Sequence, residues 1–165
     1  MFNSVKTLDD LLEVKLQGLY DAEQQLVQAL PAMAAKASDS RLRLSLEQHL
    51  RETKNQVSRL EQVARSLNMS LRGPSCRAMA GLIEEGEQMM ALRASDEVID
   101  AALLAAAQGV EHYEIAQYGT AVHFAKRLGH YPEAEMLQAT LAEEKNTDET
   151  LNQLATMSVN ARVMS

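Results

Sequence analysis

Residues Leu42–Leu67 read LRLSLEQHLRETKNQVSRLEQVARSL. Leu42, Leu46, His49, Glu52, Gln56, Leu60, Val63 and Leu67 recur every three or four positions, the stripe of an amphipathic helix turned to a core. Polar residues interrupt that stripe at its middle. The same pattern returns in three other stretches. One stripe is Leu12, Leu16, Leu19, Glu23, Leu26 and Leu30. Another is Leu104, Ala107, Glu111, Glu114, Ile115, Tyr118, Val122 and Ala125, and the last is Leu137, Leu141, Glu144, Asp148, Leu151 and Ala155. β-branched residues never cluster with period 2, so no strand is expected and the fold class is all-α.

The boundaries follow from local chemistry. Thr7-Leu-Asp-Asp10 resembles a capping box with Asp in the place of Glu, so the first helix runs from about Thr7 to about Lys36, with a kink expected at Pro31. Ser38 or Asp39 caps the second, which ends near Asn68. Gly73-Pro74-Ser75 breaks the pattern, and a shorter helix spans about Cys76 to Leu92. The fourth starts at a Ser95 cap and ends at Gly129 as C′ glycine. The fifth opens with Pro132 in its first turn, and the tail from Ser158 is expected to fray. Two long hairpins joined by a short crossover helix describe a four-helix bundle, one domain over residues 1–165.

The interruptions match in height. Glu23 and Glu52 are centred on Ala37 and Ser38, where the first hairpin turns; Glu114 and Glu144 are centred on Gly129, where the second does. At the rise of an α-helix each carboxylate stands about 22 Å from its turn. Both hairpins can therefore bring their carboxylates to one level. Buried carboxylates cost several kcal/mol each unless a positive charge compensates, and a pair of metal ions supplies it. Without metal, the same groups should crowd together with raised pKa values.

Sixteen Lys and Arg stand against 23 Asp and Glu, a net charge of −7. No nucleic-acid partner held by phosphate neutralisation is expected of such a chain. Cys76 is the single cysteine, so no internal disulfide forms. The start MFNSVKTLDD lacks an apolar signal core, and the longest wholly apolar run, Ala101 to Ala107, is too short to span a bilayer. A cytoplasmic protein without a membrane partner is expected.

Ferritin-like di-metal bundles take one Glu from each of two helices and a Glu-x-x-His from each of the other two. Carboxylates suit hard, highly charged iron, and a bridging carboxylate holds two cations at short range. The candidate metal residues are Glu23, His49, Glu52, Glu111, Glu114, Glu144 and Asp148, with Glu52 and Glu144 expected to bridge. Leu19-Tyr-Asp-Ala-Glu-Gln-Gln25, His49-Leu-Arg-Glu-Thr53, Gly81-Leu-Ile-Glu-Glu85, Val110-Glu-His-Tyr-Glu-Ile-Ala-Gln-Tyr-Gly119 and Glu143-Glu-Lys-Asn-Thr-Asp148 together resemble the YciE/YciF-like branch of the ferritin-like superfamily. The resemblance implies a rubrerythrin-like bundle, a homodimer, a di-iron site and induction under stress. It carries no settled activity.

Two departures stand out. The chain has Glu52-x-x-Asn55 and Glu144-x-x-Thr147 where Glu-x-x-His belongs. His49 replaces one imidazole and Asp148 substitutes a carboxylate for the other, giving an oxygen-rich site open to Mn, Mg or Ca as well as iron. The leading expectation is Fe(II) oxidation with O2 or peroxide as the small oxidant. The alternative is a non-catalytic dimeric stress protein that binds metal weakly or not at all. Tyr20 and Tyr118 flank the proposed level, where a core tyrosine with a satisfied hydroxyl is the simpler reading. His112, His123 and His130 read as surface or turn residues, and Cys76 as a packed thiol. Met89-Met90 reads as packing or a dimer contact.

Overall fold

The computed structural model describes residues 5–159. Five α-helices follow one another: α1 (Leu8–Lys36), α2 (Ser40–Ser66), α3 (Arg77–Met90), α4 (Asp96–Leu128) and α5 (Tyr131–Leu154), with a π-helical turn at Ala155–Val159. No strand occurs among the described residues. α1 packs beside α2 and α4, and α5 beside α2 and α4, so the four long helices form a square bundle. The α3 crossover lies against α1 and α4.

The ends form where the local chemistry places them. Thr7 accepts from the Asp10 N–H, and the Asp10 side chain accepts in return from the Thr7 N–H at 2.9 Å, so Asp closes the capping box. Asp39 caps α2 by accepting from the Arg41 and Leu42 N–H groups. Gly129 takes φ +83°, the left-handed conformation that ends α4 and lets α5 fold back. α1 stays helical through Pro31 to Lys36.

Asp100 on α4 performs a task that no stripe reveals. It is 3% exposed and accepts from the Ser38 N–H (2.8 Å), the Ser38 hydroxyl (2.6 Å) and the Asp39 N–H (2.8 Å). One carboxylate on the second hairpin thus satisfies the turn of the first. Asp100→Ala is expected to cost ~2–3 kcal/mol in urea unfolding, because it strips three charge-assisted bonds and orphans the buried Asp39 N–H.

The core is divided. One apolar cluster gathers Leu26, Leu30, Leu42, Leu46, Met79, Ile99, Leu103, Leu104 and Leu151. The other gathers Leu12, Leu16, Leu19, Leu60, Val63, Val122, Leu137 and Leu141. A polar layer lies between them.

Candidate metal centre

Each long helix sends a polar side chain into that layer. α1 gives Glu23, α2 gives His49, α4 gives Glu111 and Glu114, and α5 gives Glu144; the four glutamates are 0% exposed and His49 is 2% exposed. Donor atoms of His49, Glu111, Glu114 and Glu144 all lie within 4.8 Å of one another. His49 Nδ1 stands 3.0 Å from Glu111 Oε1, and its Nε2 lies 3.7 Å from Glu114 Oε2 and 3.9 Å from Glu144 Oε2. Glu23 joins from the side, its Oε1 accepting from the Tyr118 hydroxyl at 2.5 Å.

Most of these atoms lack hydrogen-bond partners. Glu23 Oε2, both nitrogens of His49, both oxygens of Glu111 and Glu114, and Glu144 Oε2 are buried and make no well-aligned hydrogen bond, the approach of His49 to Glu111 and Glu114 being ionic. Buried polar atoms are almost always satisfied, and here all the exceptions among the described residues but Gln56 Oε1 and Asp148 Oδ1 belong to this one cluster. Four carboxylates and one imidazole sum to −3 even with the imidazole charged, a balance that one or two divalent cations would correct. The residues therefore fit a metal ion: an oxygen-rich donor set with one nitrogen, buried and otherwise unused.

The electrostatics agree. Burial, then the neighbouring Glu114 carboxylate, pushes Glu23 well above the usual glutamate range. Burial raises Glu114. Burial, with Glu114 and Glu111 nearby, raises Glu144 well above that range. For His49 burial alone would depress the pKa, but the Glu111 and Glu114 carboxylates overcome it and hold the imidazole well above its ordinary value. Metal-free, His49 is the resident counter-charge of the cluster.

Two expected ligands stand apart. Glu52 is only partly buried; its Oε1 accepts from Gln48 at 2.7 Å and its Oε2 from Thr147 at 3.4 Å. The reason is helical phase. Leu42, Leu46, His49, Thr53, Gln56, Leu60 and Val63, buried on α2 along with Ala64, alternate four and three apart. That rhythm passes through Thr53, and Glu52 sits about 100° round the helix from it. Asp148, partly buried on α5, faces α4, with its Oδ1 3.4 Å from Nε2 of the largely exposed His112.

Gln56 is the site neighbour that its chemistry alone did not announce. It is fully buried, and its Nε2 donates to Glu144 Oε1 at 2.5 Å and to Glu143 Oε2 at 3.0 Å. Tyr20 lies elsewhere and donates to Glu61. Cys76 is buried at the start of α3, with its sulfur 3.0 Å from the Tyr113 hydroxyl. His123 is exposed, and His130 pairs with Asp9.

The fold and the layer define a class: an all-helical four-helix bundle with a crossover helix and a buried His–Glu cluster that could hold metal. The chain belongs to the family described as Domain of unknown function (DUF892), whose model matches residues 7–164. It is 43% identical to protein YciF of Escherichia coli over 160 residues, 96% of each chain. The crystal structure of that stress protein superposes with a TM-score of 0.91 at 44% identity, covering 94% of this chain and 99% of that one. YcfI from Rhodopseudomonas palustris superposes with a TM-score of 0.88 at 41% identity, covering 92% and 97%. No helix among the described residues is long and apolar enough to cross a membrane.

Proposed function

We propose that this protein is a ferritin-like, stress-associated homodimer of the cytoplasm whose mid-bundle cluster holds two iron ions and oxidises Fe(II) with O2 or peroxide. The observation that carries the reading is the convergence of buried, unpartnered donor atoms on His49, Glu111, Glu114 and Glu144. These four residues are the inner ligands, with Glu23 completing the set from α1. Bound ferrous iron would supply the electrons that reduce the oxidant. The chain's part is to hold and to exclude. His49 releases its proton and offers a nitrogen, while the carboxylates give hard oxygen donors. Tyr118 fixes one oxygen of Glu23, leaving Oε2 for the metal. The apolar compartments on either side keep bulk water away. Glu52 and Asp148 stand at the edges, where they assist loading from solvent. Mn, Mg or Ca would substitute at an oxygen-rich site.

A second reading, a dimeric bundle without turnover, draws on the layer's single imidazole: a second inward histidine is missing from it. Anaerobic melting decides. Fe(II) at a hundredfold excess over Kd should add about 2.7 kcal/mol to stability, and oxygen admitted afterwards should consume the ferrous iron. An unchanged midpoint in both Fe(II) and Mn(II) overturns the metal reading. That unchanged midpoint leaves the second reading in place, and a raised midpoint with no iron oxidation keeps the metal site but removes the oxidation.

A further inference from the structure

We infer that Gln56 is the positioning residue of the candidate centre: anchored through Glu143 by Arg59, it occupies one oxygen of Glu144 and turns the other to the metal. This rests on the metal reading above and deepens it.

The chain of contacts is continuous from the bundle surface to the cluster. Arg59 grips Glu143 with both arms of its guanidinium, Nη1 to Oε2 at 2.8 Å and Nη2 to Oε1 at 2.9 Å. Its Nη1 also donates to the Thr140 hydroxyl at 2.5 Å. Glu143 Oε2 then accepts from Gln56 Nε2, whose second donation goes to Glu144 Oε1. Both hydrogens of the amide are thus committed to adjacent carboxylates of α5. With both carboxylates ionised, as a bound metal requires, the reverse amide orientation would set the Gln56 oxygen against two anionic oxygens, which fixes the orientation. Gln56 Oε1 is left buried and unpartnered, a penalty the site accepts to keep the donors in place.

Glu144 carries the result. Its Oε1 is taken by Gln56, and its Oε2 is unpartnered and 3.9 Å from His49 Nε2. A donor on one oxygen restricts the carboxylate to one-atom coordination through the other. Supporting hydrogen bonds of this type usually change metal affinity ~10–100-fold when removed. A leucine would fill the space of Gln56 without donating.

Mn(II) binding to the full-length protein tests the inference, with Gln56→Leu and Arg59→Met beside the parent. Gln56→Leu should raise the Mn(II) Kd ~10–100-fold while leaving the saturating Mn(II) count unchanged. Infrared difference spectra should show the gap between the two carboxylate stretches narrowing, as Glu144 becomes free to bind through both oxygens. Arg59→Met should raise the Kd by less, with the same spectral trend. An unchanged Kd and spectrum in a folded Gln56→Leu protein overturns the inference and leaves the metal reading standing. If Gln56→Leu does not fold, Arg59→Met decides alone, and parental affinity and spectrum there overturn it. A parent protein that takes up no Mn(II) or Fe(II) removes the metal reading and this inference together.

Discussion

Glu114→Gln is expected to abolish tight metal binding and yet raise the melting temperature of the metal-free protein. Glu114 is fully buried among Glu23, Glu111 and Glu144, with both oxygens unpartnered. Its carboxylate is attracted by His49 at 3.7 Å but repelled by the other carboxylates, and burial, the largest influence, raises its pKa. The amide keeps the shape and drops the charge. Replacing a whole buried ion pair with packed neutral groups is often stabilising by ~1–4 kcal/mol; here His49 keeps Glu111 at 3.0 Å as its counter-charge while one surplus carboxylate is neutralised, and a gain in the lower half of that range is expected. Metal affinity should fall by more than the roughly hundredfold that supporting residues reach, because a ligand is lost. Leu60→Ala supplies the contrast. Leu60 is 1% exposed within the Tyr118 compartment, and its truncation should cost ~2–5 kcal/mol by leaving a cavity. Urea melts of both metal-free variants separate the cases. If Glu114→Gln loses as much stability as Leu60→Ala, Glu114 is there to hold the bundle and its assignment as a ligand fails.

The pH dependence of stability should change sign when metal is added. Glu23, Glu114 and Glu144 have pKa values raised above the ordinary 4.5, chiefly by burial. His49 is raised above 6.5 by its carboxylate neighbours against the pull of burial. All four groups hold protons more tightly folded than unfolded. Their stabilisation is therefore complete below the unfolded pKa and lost as pH rises through the folded one. Glu143 and Glu133 are shifted downward, Glu143 by Arg59 and Gln56 against its burial and Glu133 by its bond from Ser66. Their contribution is lost only as the solution becomes more acidic than the usual glutamate range. From about pH 5 to pH 8 these four raised groups pull the slope downward, and the chelated protein should weaken steadily. Metal reverses this, because it binds the deprotonated ligands and its affinity grows as protons become scarce. Urea midpoints across that range, with chelator and then with Mn(II), give the two slopes. A chelated protein that gains stability towards pH 8 contradicts the buried, proton-holding cluster.

Much of this architecture was legible in the chain because helices declare themselves through period and caps. Both turns form where turn chemistry predicts them, between α1 and α2 after Lys36 and at Gly129 between α4 and α5. Glu114 and Glu144, centred on Gly129, meet in the polar layer, whereas Glu52, centred with Glu23 on Ala37 and Ser38, stands outside it. What period alone did not settle was phase within a turn. On α2 both Glu52 and Thr53 follow His49 at helical spacing, and chemistry favoured the carboxylate; the alternation of four and three from Leu42 to Val63 selects Thr53. On α5 the equivalent inward position after Glu144 is Thr147, 6% exposed, with Asp148 turned towards α4. Gln56 was visible in the stripe, but its role depends on where Glu143 and Glu144 fall across an interhelical gap. Asp100 had no signal at all, since its partners lie more than sixty residues away in the Ser38–Asp39 turn.

The polar layer that parts the two apolar compartments also works as an address. Leucines alone would let one helix slide a turn along its neighbour and still find leucines to meet. Here a shift of α1 by one turn would carry Glu23 away from the Tyr118 hydroxyl to the level now held by Leu26 or Leu19, among the aliphatic side chains of one compartment or the other. An uncompensated carboxylate among aliphatic side chains costs several kcal/mol, far more than a small repacking returns. The same penalty falls on α2 through His49, on α4 through Glu111 and Glu114, and on α5 through Glu144. Of the many ways four leucine-faced rods could stack, the layer leaves one vertical alignment, and it does so before any ion arrives.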